Sequence, residues 1–314
     1  MGPLPRRYAS ALIDTEVGTI KDWVLDMRER EKPAKEIPPG VDTSVPNIAR
    51  VYDYMLGGTF NFPADRHMAE LTLQIAPDAP VLAQEHRAFL RRTVRFLAAE
   101  GVRQFLDIGS GLPTQGNTHE IAETAAPGAR TVYVDIDPIV ILHTRQLLAA
   151  SATATIVQAD IREPDGIVQH RHVRERIDFS EPVGLLLCAI LHHLHDHEAP
   201  GEIARHLIAA LPPGSHVVIS HFHNPGSSRP DVALQAEEAE RLFNERLGTG
   251  RWRGREEISG YFSGTDLVDP GLVCVPDWRP DPGEYQFRGT RYYGDYAYTS
   301  LTYQSWLGGV GRKN

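Results

Sequence analysis

The pattern of apolar and polar positions changes character near residue 100. Before it, apolar residues recur at helical spacing. Ile13, Val17, Ile20, Val24 and Met27 fall at steps of four, three, four and three, one stripe of an amphipathic helix. Pro33, Pro38, Pro39 and Gly40 close that segment. A second helix is predicted from about Val45-Pro46, carrying Ile48, Val51, Tyr52 and Met55 and stopping at Gly57-Gly58. A third spans about 81–99, with arginines on one face and Leu, Phe and Val on the other.

Beyond residue 100, short apolar runs alternate with helical stretches. Strands are predicted at 104–108, 131–134, 155–158, 183–190 and 215–220, and helices at 117–125, 139–150, 200–211 and 232–247. Such alternation implies βαβ units, a mainly parallel sheet and helices on both faces. The run 184–190 is apolar throughout, as suits a central strand covered on both sides. The tail holds six of the eleven tyrosines, and 301–310 is predicted as a final strand. The expected organisation is an N-terminal extension (1–45), a helical segment (46–100), and an α/β domain (101–314). That domain carries a Tyr-rich insertion at about 284–303.

Composition narrows the class. Hydrophobic residues make up 41% and charged residues 23% of 314, enough for a sizeable core. The net charge of −9 argues against nucleic acid as a partner, because phosphate binding relies on clustered positive charge. Two cysteines, Cys188 and Cys274, suit a reducing compartment, and a cytoplasmic enzyme is expected. No run of about 18 apolar residues occurs, so no membrane span is expected.

The strongest chemical signal is Phe105-Leu-Asp-Ile-Gly-Ser-Gly-Leu-Pro113, a strand that ends in an acid and a Gly-x-Gly turn before a helix. Glycines let the backbone turn tightly and approach a ligand closely. Asp135 ends the next strand, where a carboxylate can accept both ribose hydroxyls, and Asp160 ends the third, where an adenine amino group can be read. Three acids at consecutive strand ends point to one crevice. A dinucleotide fingerprint wants a third glycine where this chain has Thr114. Asp107, two residues before the first glycine, repels phosphate and welcomes an amine. The local charge therefore favours S-adenosylmethionine over NAD, leaving an NAD-dependent oxidoreductase as the weaker alternative.

At these residues the chain resembles class I S-adenosylmethionine-dependent methyltransferases through Asp107-x-Gly109-x-Gly111. More specifically, Val45-Pro-Asn-Ile-Ala-Arg-Val-Tyr-Asp-Tyr-Met-Leu-Gly-Gly58, Asn61-Phe62 and Ala64-Asp65-Arg66 are similar to the opening of a bacterial S-adenosyl methyltransferase family whose members mostly lack assigned substrates. Leu106 to Thr114, Gly116-Asn117, Tyr133 to Pro138 and the closing Gly309-Val-Gly-Arg-Lys313 resemble it too. The resemblance runs from about residue 46 to 282 and returns at the C-terminus. It implies a Rossmann-like, mainly parallel seven-stranded sheet under an α-helical N-terminal cap. It implies further that Asp107, Gly109 and Gly111 line the methionine end, Asp135 the ribose, Ile136 an adenine face, and Asp160 with Ile161 the adenine edge. Ala189 and Ile190 then lie beneath the sulfonium. A protein that binds S-adenosylmethionine only as a signal would carry the same motifs.

His192, His193, His195 and His197 follow the fourth strand. Their local spacing, without a cysteine or a distant His-x-x-x-His, does not read as a metal site. His192, directly after the strand at the methyl-transfer position, is the candidate base or orienting residue. Tyr52, Tyr54, Asn61, Arg66, Arg87 and His193 are the candidate substrate residues, aromatic walls with an arginine to hold an anion. The expected acceptor is a small natural product or short peptide methylated on oxygen or nitrogen. The N-terminal stripe is a candidate homodimer contact.

Overall fold

The computed structural model describes residues 37–113, 116–282, 290–293, 296–299 and 302–314. The stripe from Ile13 to Met27, with its candidate dimer contact, lies outside them, as do Thr114 and part of the Tyr-rich segment.

Three helices come first: α1 (Ile48–Met55), α2 (Pro63–Ile75) and α3 (Ala79–Ala99). The Asn47 side chain caps α1 by accepting from Ala49 N. Helix α2 has no counterpart in the hydrophobic pattern, because its buried face carries Asp65 and Thr72 alongside Met68 and Ala69. Asp65 is buried as a hub. One carboxylate oxygen accepts from Asn47 N (2.9 Å), and the other from Phe62 N (2.8 Å) and Arg50 Nε (2.9 Å). Arg50 is itself buried, donates to Val45 O and lies 3.7 Å from Asp137. A single carboxylate thus starts both helices and, through Arg50, ties them to the sheet.

The alternating part follows the predicted order: β1 (Gln104–Ile108), α4 (Thr118–Ala125), β2 (Arg130–Asp135), α5 (Pro138–Leu147), β3 (Ala154–Gln158), α6 (Pro164–Val168), α7 (Arg171–Arg174), β4 (Gly184–Cys188), α8 (Pro200–Ala209) and β5 (His216–Phe222), except that the pattern did not show the two short helices α6 and α7. Then come α9 (Pro230–Leu247), α10 (Arg255–Gly260), β6 (Asp266–Leu267), β7 (Val273–Cys274), a hairpin of β8 (Thr290–Tyr293) with β9 (Tyr296–Thr299), and β10 (Trp306–Arg312). The sheet runs β3-β2-β1-β4-β5-β10-β6. Strands β3 to β5 pair in parallel, and β10 enters antiparallel beside β5. The sheet has eight strands rather than seven, because the place beyond β10 is shared by the two-residue strands β6 and β7. Strand β10 starts later than residue 301, since Thr302 to Ser305 form a short 3-10 turn.

The parallel strands are apolar on both faces. Leu185 and Leu187 of β4 and Val217 and Ile219 of β5 pack into one layer. Leu186 and Val218 pack into the other, against Phe89, Val94 and Leu97 of α3. Alternation of side chains along each strand divides one apolar run between two cores. The carboxyl ends of β1 to β4 then face the same edge, under the cap.

Because Asp65 is buried and accepts from three donors, Asp65→Ala leaves Arg50 Nε and the Asn47 and Phe62 amides without their acceptor, and Arg50 keeps only the longer contact to Asp137 as an ion pair. The expected loss is about 3–5 kcal/mol of folding stability, measured by urea unfolding. A loss below about 1 kcal/mol, the value of an exposed pair, would show that the hub does not hold the cap.

Candidate functional site

A cavity of about 250 Å³ opens where the carboxyl ends of β1 to β4 meet the cap. All nine residues expected to bind the cofactor lie within its walls: Asp107, Gly109, Gly111, Asp135, Ile136, Asp160, Ile161, Ala189 and Ile190. Parallel strands in sequential register deliver these ends side by side. Gly109 has φ +73°, and a Cβ there would lie 2.6 Å from the Ile190 side chain. Gly111, at φ +65°, has nothing within 4 Å of that position. The first glycine is required by packing and the second leaves space open.

The three acids differ in state. Asp135 accepts from Gly111 N (2.9 Å) and from Asp137 N (3.0 Å), which pins the glycine turn of β1 to the end of β2. Burial raises its pKa, and those two backbone donors oppose the rise. Asp107 accepts from Thr118 Oγ1 at 2.7 Å at the start of α4. Burial pushes its pKa up to about 6, against Thr118 and the nearby Arg87, which favour the ionised form. Asp160 is more open. Burial works to raise its pKa, but hydrogen bonds from Arg162 prevail and hold it below the usual carboxylate value. Arg162 bridges on to Glu198 at 3.0 Å.

A buried chain of hydrogen bonds joins the cavity floor to the cap. Ala189, in the left-handed region at φ +59°, donates its N–H to Ser220 Oγ at 2.9 Å. The Tyr52 hydroxyl gives its one proton to Ala83 O (3.1 Å), so its oxygen accepts from His86 Nδ1 (2.9 Å). His86 Nε2 is then the acceptor for Ser220 Oγ at 2.7 Å. Burial lowers the His86 pKa to about 3, so the imidazole stays neutral. The ring stacks on Trp306 at 4.3 Å between centroids.

His192 is fully buried at the cavity, stacked on Phe222 with centroids 3.7 Å apart. Its Nδ1 accepts from Phe222 N at 3.2 Å, which assigns the ring proton to Nε2. Nε2 is buried without a hydrogen-bond partner. Burial, followed by the neighbouring His193, His221, His86 and Arg253, holds the His192 pKa well below its ordinary value. His193 also lines the cavity, with its pKa lowered by burial to about 4. His195 Nε2 bonds Gly248 O instead, and Arg253 clamps the loop through Leu194 O and Asp196. Among the described residues no group of three or more His, Cys, Asp or Glu is placed to hold a metal ion.

Of the candidate substrate residues, Tyr52, Arg87 and His193 reach the cavity. Tyr54, Asn61 and Arg66 do not line it. Tyr54 is packed in the cap core. Asn61 is buried and donates to Asp53 (2.8 Å) and Gly58 O, while Arg66 donates to Asn61. Their polar groups shape the cap from behind. Conversely, Asn47, His86, Phe222 and Trp306 line the cavity without having stood out in the sequence. Asn47 carried a usable signal, as a capping residue ahead of an apolar helix. His86 carried none, since its partner Ser220 lies 134 residues away.

Comparisons with known proteins agree with this geometry. A family model described as S-adenosyl methyltransferase matches residues 34–314. The chain is similar to the crystal structure of a Thermobifida fusca YX protein provisionally named a methyltransferase. That likeness has 40% identity over 90% of this chain and 100% of that one, with a TM-score of 0.79. It is also similar to a duf574 family protein of Streptomyces avermitilis, at 34% identity over 87% of this chain and 99% of that one, with a TM-score of 0.77. No curated protein matches the chain.

Asp107 generates a testable pH dependence. Its folded pKa of about 6 lies above the ordinary value of 3.8, so its contribution to stability is fully present below about pH 3.8 and lost as pH rises through 6. Asp107→Asn keeps an acceptor for Thr118 and removes the buried charge. The ligand-free variant is expected to melt higher than the parent at pH 8, with the difference shrinking towards pH 5. Thermal scans across that range check it; a variant that is less stable at pH 8 contradicts it.

Proposed function

The chain belongs to the S-adenosyl methyltransferase family, and on that premise we propose that it methylates an oxygen or nitrogen of a small natural product or short peptide. It is an S-adenosylmethionine-dependent methyltransferase, and S-adenosylmethionine, when bound, supplies a methyl group already activated on a positively charged sulfur. The residues present fit this cofactor. Four carboxylates, Asp107, Asp135, Asp137 and Asp160, line the cavity with Arg87 and Arg162, an excess of negative charge that disfavours a diphosphate and suits an amine and a ribose. The open space over Gly111 leaves room for a ligand against the backbone. Among the described residues no helix is long and apolar enough to cross a membrane.

In this reading Asp107, Gly109 and Gly111 hold the methionine end and Asp135 the ribose. The exposed Ile136 side chain covers an adenine face, while Asp160 and Ile161 flank its edge. Ala189 and Ile190 form the floor beneath the sulfonium. The observation that carries the reading is the arrival of Asp107, Asp135 and Asp160 in one cavity from three adjacent strands.

The acceptor sits on the cap side, between Tyr52, Arg87, His192 and His193. His192 acts there as a hydrogen-bond donor and wall rather than as a general base. Two observations support that role: Nδ1 is committed to Phe222 N, and the depressed pKa keeps the ring neutral with its proton on Nε2. The protein's work is alignment and exclusion of water, which suffices for an acceptor that attacks as a phenolate, a carboxylate or an unprotonated amine, the last giving its proton to solvent after the transfer. A net charge of −9 makes a polyanionic nucleic acid a poor acceptor.

Calorimetric titration with S-adenosylhomocysteine and with NAD checks the cofactor side. The former is expected to bind and the latter not, and Asp135→Ala is expected to cost about 1.5–3 kcal/mol of binding. Tighter binding of NAD would overturn the assignment. Screening phenols, amines, carboxylates, short peptides and RNA with labelled cofactor identifies the acceptor class, and labelled RNA alone would refute the proposal.

With an acceptor in hand, His192→Ala is expected to lower the rate by about tenfold, the scale of one hydrogen bond. The pH profile between 6 and 9 should keep its shape. A loss of about 10²–10⁴, with an inflection near 6.5 that disappears in the variant, would instead make His192 a base.

A further inference from the structure

A second cavity of about 90 Å³ lies behind the first, between the cap and α9. The two share Ile48, Tyr52, Phe222 and Trp306 as a common wall. The remainder of the second cavity is apolar, with Val51, Met55, Leu82, Ala236, Phe243 and Trp252 among its lining. No charged residue lines it among the described residues. Its polar side chains are committed elsewhere: Thr72 donates to Met68 O, Gln235 to Ile75 O, Thr302 to Asp78, and Ser305 to Thr302 O. Trp306 differs, because its Nε1–H is buried with no hydrogen-bond partner. His192 Nε2, on the other side of Phe222 from Trp252, is in the same condition.

From this arrangement we infer that the second cavity seats an uncharged apolar group of the methyl acceptor, a single ring or a branched alkyl chain. The inference rests on the reading that the cofactor occupies the larger cavity. The volume admits about one small ring and little more. A charged group would be stripped of water there with no counter-ion, which excludes it. The acceptor is therefore amphipathic, with its apolar end under the cap and the atom that takes the methyl group on the cofactor side.

The test uses the full chain saturated with S-adenosylhomocysteine and p-cresol as the probe. Of the four methionines, Met55 lines the second cavity, so its 13C-labelled methyl reports occupancy, assigned through Met55→Leu. p-Cresol is expected to shift the Met55 methyl resonance. Ala236→Phe, which fills the cavity, is expected to weaken p-cresol binding on the order of tenfold or more while leaving S-adenosylhomocysteine affinity unchanged. If S-adenosylhomocysteine binds but p-cresol leaves Met55 unshifted, or binds Ala236→Phe as it binds the parent, the inference falls and the methyltransferase reading stands. If S-adenosylhomocysteine does not bind, the reading fails and the inference with it. Should Ala236→Phe fail to fold, the Met55 shift in the parent protein decides.

Discussion

The Asp135 carboxylate is the constraint on which the site depends. It takes the amide of Gly111 on one oxygen and the amide of Asp137 on the other, so the turn leaving β1 and the turn leaving β2 share one anchor. Pinned this way, the glycine turn holds its left-handed conformation against Ile190, and the crevice stays open above Gly111. Asp137 in turn caps α5 by accepting from Ile139 N, and its carboxylate faces Arg50 of the cap. The cavity floor, a helix start and a contact with the cap are thereby coupled through two acids two positions apart.

The cap is joined to the sheet by buried polar groups as much as by apolar packing. Arg50 and Asp65 work at one end, and Tyr52, His86 and Ser220 at the other. Every member of the second chain is satisfied, which low dielectric makes mandatory and which specifies one geometry. Its last link is Ala189, a non-glycine residue held at positive φ on the cavity floor. A position of this kind persists only where its surroundings over-determine it, and the Ser220 hydroxyl is part of that surrounding.

Ionisable groups around the cavity are held away from their comfortable states. Asp107 is raised by burial, and His86, His192 and His193 are kept neutral by it. A methyl donor that is already activated asks for little acid–base chemistry from the protein. Neutral imidazoles beside the cavity suit that demand better than a titrating base would. Behind the common wall, among the described residues, the lining becomes wholly uncharged.

The amino-acid sequence alone determined the strand and helix order from residue 104 to 247 apart from the short α6 and α7, the Gly-x-Gly turn, and the three strand-end acids. Each of these follows from local spacing: period two or 3.6 along the chain, and glycine where φ is positive. Local spacing could not disclose α2, whose buried face is partly polar because Asp65 serves as a hub for groups up to 18 residues away. It also suggested Tyr54, Asn61 and Arg66 as substrate contacts, whereas folding turned them into the cap and left Tyr52, Arg87 and His193 at the cavity. Only tertiary structure decided that His86 meets Ser220, that Phe222 occupies His192 Nδ1, and that Trp306 closes two cavities at once. Those pairings join residues 30 to 134 positions apart, or a C-terminal strand to the cap, so they exist only once the sheet has brought its edges together.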